Sequence, residues 1–180
     1  MKKESALAYV GSNPKSDRKK NDFYPSPSYS IEELLKRITL QGDIWECACG
    51  DGALSKVIES KGYKVYSSDL INRGYGHTPV DFLKSNRKVD TIITNPPFNL
   101  STEFTLKAFE LSNRYIIFLN KLSFLEGIRR RKEIFNKGYL KNVYVFSKRL
   151  TFGVSGIGLM AFAWYIFDKE YKKQPTINWI

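Results

Sequence analysis

Between Ile44 and Phe167 the chain alternates short apolar stretches with amphipathic ones, and that rhythm leaves few folds open. Ile44–Ala48, Tyr63–Ser68, the β-branched Val89–Thr94, Tyr115–Leu119, Leu140–Phe146 and Leu159–Phe167 read as strands. Ala53–Lys61, stopped by Gly62, and Ser101–Ser112 read as helices, and Glu126–Asn136 as a strongly basic one. Ahead of the first strand, Ser30 and Glu33 form a capping box, Ile31, Leu34, Leu35 and Ile38 share one face, and Gly42 ends that helix. Strands apolar on both sides, separated by helices, predict an α/β fold: a mostly parallel sheet with helices on both faces. Ser147–Gly158 leaves no room for a regular crossover helix, so the last two strands are expected to pair antiparallel.

With 180 residues, 42% of them hydrophobic, the chain fits one domain, and a two-domain enzyme has little room. No run of about 18 apolar residues is present, so no spanning helix is expected. The start, Met1-Lys2-Lys3-Glu4, lacks the apolar run of a signal peptide. Cys47 and Cys49 are the only cysteines and exclude a disulfide scaffold; a single histidine, His77, argues against zinc sites and a Ser-His-Asp triad. The net charge of +11 suggests a polyanionic partner, with solubility as the plain alternative. Clustering favours a surface: Lys121–Arg149 holds nine basic residues against two acidic. A second cluster, Lys15, Arg18, Lys19 and Lys20, lies in residues 1–22, which read as a basic flexible arm.

Two turns carry candidate chemistry. Glu46-Cys47-Ala48-Cys49-Gly50-Asp51-Gly52 leaves a strand, passes a Gly-x-Gly turn and enters a helix; the glycines permit a tight turn and close approach of a ligand. Asp69 ends the next strand, where a carboxylate accepts ribose hydroxyls. Asp81-Phe82 follows a further expected strand end, with an acceptor for an adenine amino group and a ring for its face. Together they describe a pocket for an adenosine-containing cofactor; turn glycines and solvated aspartates are the plainer alternative. The second turn, Asn95-Pro96-Pro97-Phe98, follows the apolar strand directly. The Asn95 side chain and the Pro96 carbonyl offer two acceptors for a planar amino group, whose delocalised lone pair they would direct at an electrophile. Phe98 would stack on an extruded base; a Pro-Pro turn with Phe98 in the core is the alternative. His77 reads as a loop residue and Cys49 as a packing residue.

With these motifs the sequence resembles the Rossmann-like class I S-adenosylmethionine-dependent methyltransferases, specifically the amino methyltransferases of the DNA adenine-N6 group and their small phage-type members, over residues 20–170. Phe23-Tyr24-Pro25-Ser26-Pro27 is similar to their aromatic-Thr-Pro segment, with Ser26 in place of Thr. Lys121–Glu126 and Arg149-Leu150-Thr151-Phe152-Gly153 look like later segments of the phage-type members. The resemblance implies S-adenosyl-L-methionine held by Tyr24, Pro25, Glu46, Cys47, Gly50, Gly52, Asp69, Leu70, Asp81, Phe82 and Asn95. It implies catalysis by Asn95, Pro96, Pro97 and Phe98, with no metal. Lys121, Arg129, Arg130, Arg131, Lys132 and Arg149 are expected to contact nucleic acid, DNA in the first place; an exposed, solvated face is the alternative.

The expected organisation is a single methyltransferase domain over 23–180 without a separate target-recognition domain, hence low sequence selectivity. A protein partner supplying recognition is compatible with it, as is a bacterial or phage-infected host cytoplasm; a membrane is not expected. No Pro-Cys nucleophile is present, which argues against cytosine-C5 methylation. The Asn-Pro-Pro-Phe motif also serves glutamine-amide and guanine-N2 methyltransferases. RNA or protein-glutamine methylation, or a catalytically silent nucleic-acid-binding subunit, are therefore the rival readings.

Overall fold

Buried side chains that alternate between two faces of one sheet decide the architecture. The computed structural model describes residues 25–152 and 160–180. The predicted arm at 1–22, Tyr24 and the start of the strand expected at Leu159 lie outside them. The elements are α1 (Ser28–Leu35), β1 (Ile44–Glu46), α2 (Ala53–Ser60), β2 (Val65–Ser67), β3 (Val89–Thr94), α3 (Ser101–Leu111), β4 (Ser112–Lys121), α4 (Ile128–Glu133), β5 (Leu140–Val145), β6 (Phe162–Asp168) and β7 (Thr176–Trp179). The strands form one sheet in the order β2-β1-β3-β4-β6-β5-β7. β1 pairs parallel with β2 and β3, and β3 with β4. β6 runs antiparallel between β4 and β5, so the expected antiparallel pair is present.

Along the central strands one residue in two serves each face. Trp45, Ile92, Ile116 and Phe118 pack with Phe104 and Ala108 of α3 and with Ile134, just beyond α4. Ile93, Ile117, Leu119 and Trp164 pack with Ile31 and Leu34 of α1 and Leu54 and Ile58 of α2. Helices thus cover both faces. The buried indoles are satisfied: Trp45 Nε1 donates to Ser68 Oγ at 2.8 Å and Trp164 Nε1 to the Ser30 carbonyl at 2.9 Å.

Several local expectations change. Ser30 is not an N-cap: α1 starts at Ser28 behind Pro27, whose extended backbone (φ −64°, ψ 134°) sets the entry, and Ser30 sits buried inside the helix. That helix ends at Leu35, well before Gly42. Gly42 instead holds a positive φ of 64° before β1, and the Asp90 side chain fills the space a Cβ would need. The basic helix is shorter than expected, α4 being flanked by 3₁₀ turns at Leu122–Leu125 and Phe135–Lys137. No strand precedes Asp81, which instead opens a 3₁₀ turn, Phe82–Lys84. Finally β7, unanticipated, adds a parallel edge strand to β5.

Candidate active site

The carboxyl ends of β1, β2 and β3 and the loops that follow them enclose a cavity of about 600 Å³, within the ~300–1,000 Å³ usual for small-molecule sites. Pro25, Glu46, Cys47, Gly50, Asp69, Leu70, Asp81, Phe82 and the whole Asn95–Phe98 turn line it. The two predicted groups, one for a cofactor and one for an amino group, therefore face a single space.

Asp69 is held rigidly. Its Oδ2 accepts from Gly50 N at 2.9 Å, and its Oδ1 from Ile71 N at 2.8 Å and Arg73 Nη1 at 2.9 Å. A carboxylate has roughly four lone-pair sites; three are used, which leaves an acceptor site on Oδ2 for a ligand hydroxyl. Asp81 accepts from Leu83 N at 3.1 Å and pairs with the exposed Lys84 at 3.2 Å. Phe82 is buried against Trp45 and Phe104 and forms apolar floor beside that carboxylate.

Glu46 is fully buried, and burial pushes its pKa up to about 8 despite a hydrogen bond donated by Ser55 Oγ. It is therefore largely protonated at neutral pH. Ser55 Oγ also lies 2.6 Å from Ser67 Oγ, tying α2 to β2 beneath the cavity. Burial also raises both thiols, Cys47 well above its ordinary range and Cys49 to about 12. Neither offers a reactive thiolate, and Cys49 packs against the Tyr75 carbonyl.

Gly52, also expected at the cofactor, stands behind the cavity wall. It does not line the cavity; at φ 82° it caps α2, and a Cβ there would lie 2.5 Å from the Tyr75 ring. The glycine makes room for the Tyr75 side chain. Tyr75 is fixed in turn by Glu59, which accepts from its hydroxyl at 3.0 Å, and by Lys56, 5.1 Å from its ring centroid.

Three polar residues around the Asn95–Phe98 turn were not anticipated as positioning groups. Asn95 Nδ2 donates to Ser26 Oγ at 3.0 Å. Fixing that end of the amide also fixes where its carbonyl points. Ser101 Oγ donates to Asn120 Oδ1 at 2.6 Å and lies 3.4 Å from the Pro97 carbonyl. Buried polar side chains next to a Pro-Pro turn are the signal that sequence order hides, since Asn120 arrives from the neighbouring strand. Phe98 meets Phe162 at 5.4 Å and Phe152 at 6.2 Å between ring centroids, and Lys121 Nζ sits 5.2 Å from its own centroid.

Of the predicted nucleic-acid contacts, Lys121 stands beside the turn, over the Phe98 ring. Arg129 is shared by Glu103 (2.7 Å) and Glu133 (3.0 Å). Arg130 donates to the carbonyls of Phe124, Ser123 and Glu126, closing the loop before α4. Arg131 and Lys132 are exposed. Arg149 is exposed as well, and its carbonyl accepts from the Tyr29 hydroxyl at 3.4 Å. His77 stacks on Tyr66 at 4.7 Å and does not line the cavity. Among the described residues no His/Cys/Asp/Glu group is placed to hold a metal, and no helix is long and apolar enough to cross a membrane.

No protein-family model and no curated protein sequence matches the chain. Solved structures do match. A Pyrococcus horikoshii protein assigned as an RNA methyltransferase superposes with a TM-score of 0.62 at 20% identity, over 94% of this chain and 99% of that one. The methyltransferase subunit of a type I restriction-modification system from Streptococcus thermophilus gives 0.58 at 14% identity, over 80% of this chain but 43% of that one. Magnesium protoporphyrin IX methyltransferase from Synechocystis, solved with bound S-adenosylmethionine, gives 0.55 at 14% identity over 78% of this chain. The chain therefore has the Rossmann-like fold of S-adenosylmethionine-dependent methyltransferases, with β6 as its antiparallel strand near the C-terminus.

Proposed function

We propose that this protein transfers a methyl group from S-adenosyl-L-methionine to the N6 amino group of adenine in DNA. The observation that carries the reading is the shared cavity: Asp69 and Asp81 stand on one wall and the Asn95–Phe98 turn on another. The residues suit the cofactor. Asp69 keeps an acceptor site for a ribose hydroxyl, Asp81 offers an acceptor beside the Phe82 floor, and Pro25 and Ser26 border the side nearest Asn95. When bound, the cofactor supplies an electrophilic methyl group on a sulfonium.

The protein's own contribution is orientation. The Asn95 side-chain carbonyl and the Pro96 carbonyl grip the two hydrogens of the amine, which turns its lone pair toward the cofactor side of the cavity. Ser26 holds the Asn95 amide, and Ser101, hydrogen-bonded to Asn120, lies beside the Pro97 carbonyl. Phe98, backed by Phe162 and Phe152, offers a ring to the extruded base, and Lys121 exchanges its place over that ring for a nearby phosphate. Most of the acceleration then comes from proximity and alignment. Exposed cations such as Arg131 and Lys132 contact phosphates, which positions the substrate without reading its sequence, in keeping with low selectivity and one domain over 23–180.

The test is incubation of the protein with labelled S-adenosylmethionine and, separately, duplex DNA, single-stranded DNA, RNA and a glutamine-containing peptide, followed by mass analysis of nucleosides and residues. N6-methyladenine in DNA is the expected product. Methyl transfer confined to RNA or to glutamine would reassign the substrate, and cofactor binding without transfer to any of them would leave a silent binding subunit.

A further inference from the structure

We propose that a second groove, on the flank formed by α4 and the β6–β7 connection, is a track for the phosphate backbone of the nucleic-acid substrate; this rests on the reading above. The groove encloses about 790 Å³ and takes in Arg131, Lys137, Lys172 and Lys173, together with Ile128 and Phe135. No carboxylate lines it, and none of the four cations has an ion-pair partner among the described residues.

That isolation is local. Most nearby acids are committed elsewhere, Glu103 and Glu133 to Arg129 and Asp168 to Arg114 and Lys141; Glu126, exposed between Leu125 and Gly127, is not among the lining residues. The groove thus concentrates uncompensated positive charge, which is what a polyanion recognises. Ile128 is 90% exposed and Phe135 half-buried at its wall, so apolar surface is available to sugars and base edges. A concave site with cations on its walls suits a strand rather than the flat surface of a bilayer.

Its position sets a length. At one end of β4, Lys121 Nζ lies over the Phe98 ring. At the other end, Lys169 Nζ donates to the Ser112 carbonyl at 2.6 Å, and Lys172 Nζ to the Lys169 carbonyl at 3.4 Å. β4 has ten residues, and at ~3.3 Å per residue the two ends lie about 30 Å apart. A duplex rising 3.4 Å per base pair covers that distance in about nine base pairs. A substrate held at both ends must be at least that long, measured from the target adenine.

The experiment compares wild type with the Lys172→Ala, Lys173→Ala double variant on a 24-base-pair duplex with a central adenine and on a 6-base-pair duplex. Binding is measured across a salt series. With the long duplex, the slope of log affinity against log salt should fall by about 2 in the double variant, near 0.9 per lost contact. With the short duplex the two proteins should give equal slopes. Equal slopes on both lengths would overturn the track, as would losses independent of length. Loss of binding to phosphatidylserine vesicles with duplex binding intact would reassign the groove to a membrane surface. If wild type methylates and binds no nucleic acid at all, the functional reading falls together with the track; if it methylates DNA and the double variant behaves as wild type, only the track falls. An unchanged cofactor affinity in the double variant excludes a folding defect.

Discussion

Ser26 and Asn95 lie 69 positions apart yet share one 3.0 Å hydrogen bond, and that bond separates a catalytic reading of Asn95 from a structural one. Ser26→Ala should lower kcat about tenfold, the scale of one hydrogen bond, with cofactor affinity nearly unchanged. Ser26→Thr keeps the hydroxyl and should restore kcat. An unaltered kcat in the alanine variant would mean that the amide needs no such anchor. Asn95→Ala should abolish transfer while cofactor affinity stays within about tenfold; parallel loss of both would make Asn95 a cofactor or folding residue.

Glu46 makes a prediction about stability alone. Its pKa is raised in the folded protein to about 8 by burial, whereas the unfolded chain restores an ordinary carboxyl near 4.3. The folded state therefore favours the proton. Its contribution is fully present below the unfolded pKa and declines as pH rises toward about 8. Thermal denaturation of the ligand-free protein should show Tm falling across that window, and Glu46→Gln should flatten the fall. A Gln variant with the same pH slope as wild type would place the buried titration elsewhere.

Among the elements, α4 shows how a basic helix divides its labour. Arg130 caps the loop Ser123–Glu126 through three carbonyls, whereas Lys132 is exposed. Arg130→Ala should cost about 1–3 kcal/mol of stability by leaving those groups without their donor, and Lys132→Ala should stay within about 0.5 kcal/mol; urea denaturation decides both. Equal effects would mean that the loop does not depend on its arginine. The glycine turn gives a second element-scale prediction. Gly52→Ala should destabilise by at least about 1–2 kcal/mol for its left-handed backbone, with a further loss from the Tyr75 ring. In a Tyr75→Ala background only the backbone share should remain, so strictly additive losses would refute the contact.

These elements also show what sequence conveys. Val89–Thr94 is a strand at the expected residues because its β-branched run has no competing period, and the Pro-Pro pair after it cannot continue a ladder. The alternation of strands and helices likewise conveys the two covered faces. β7 escapes such reading: it has four residues, largely exposed, and its pairing depends on the open edge of β5. Gly52 escapes it too, since the ring that demands the glycine comes from a loop beyond the next strand. Ser26, Ser101 and Asn120 are ordinary polar residues until the fold gathers them around one turn.

At the scale of the whole molecule, charge and chemistry are arranged at different places on the sheet. The cavity lies at the carboxyl ends of β1–β3, while the groove that gathers Arg131, Lys137, Lys172 and Lys173 lies along the flank of α4 and the β6–β7 connection.

The reversed direction of β6 has a consequence for how such a protein could be remodelled. Because β5 ends and β6 begins at the cavity end of the sheet, Phe152 and Phe162 both reach Phe98 from the two sides of one connection. On the proposed function, residues inserted between those phenylalanines would lengthen the chain between two rings that meet Phe98, outside every strand register. The fold therefore provides a grafting point at which a specificity loop could be installed while the cavity walls at β1–β3 are left as they are.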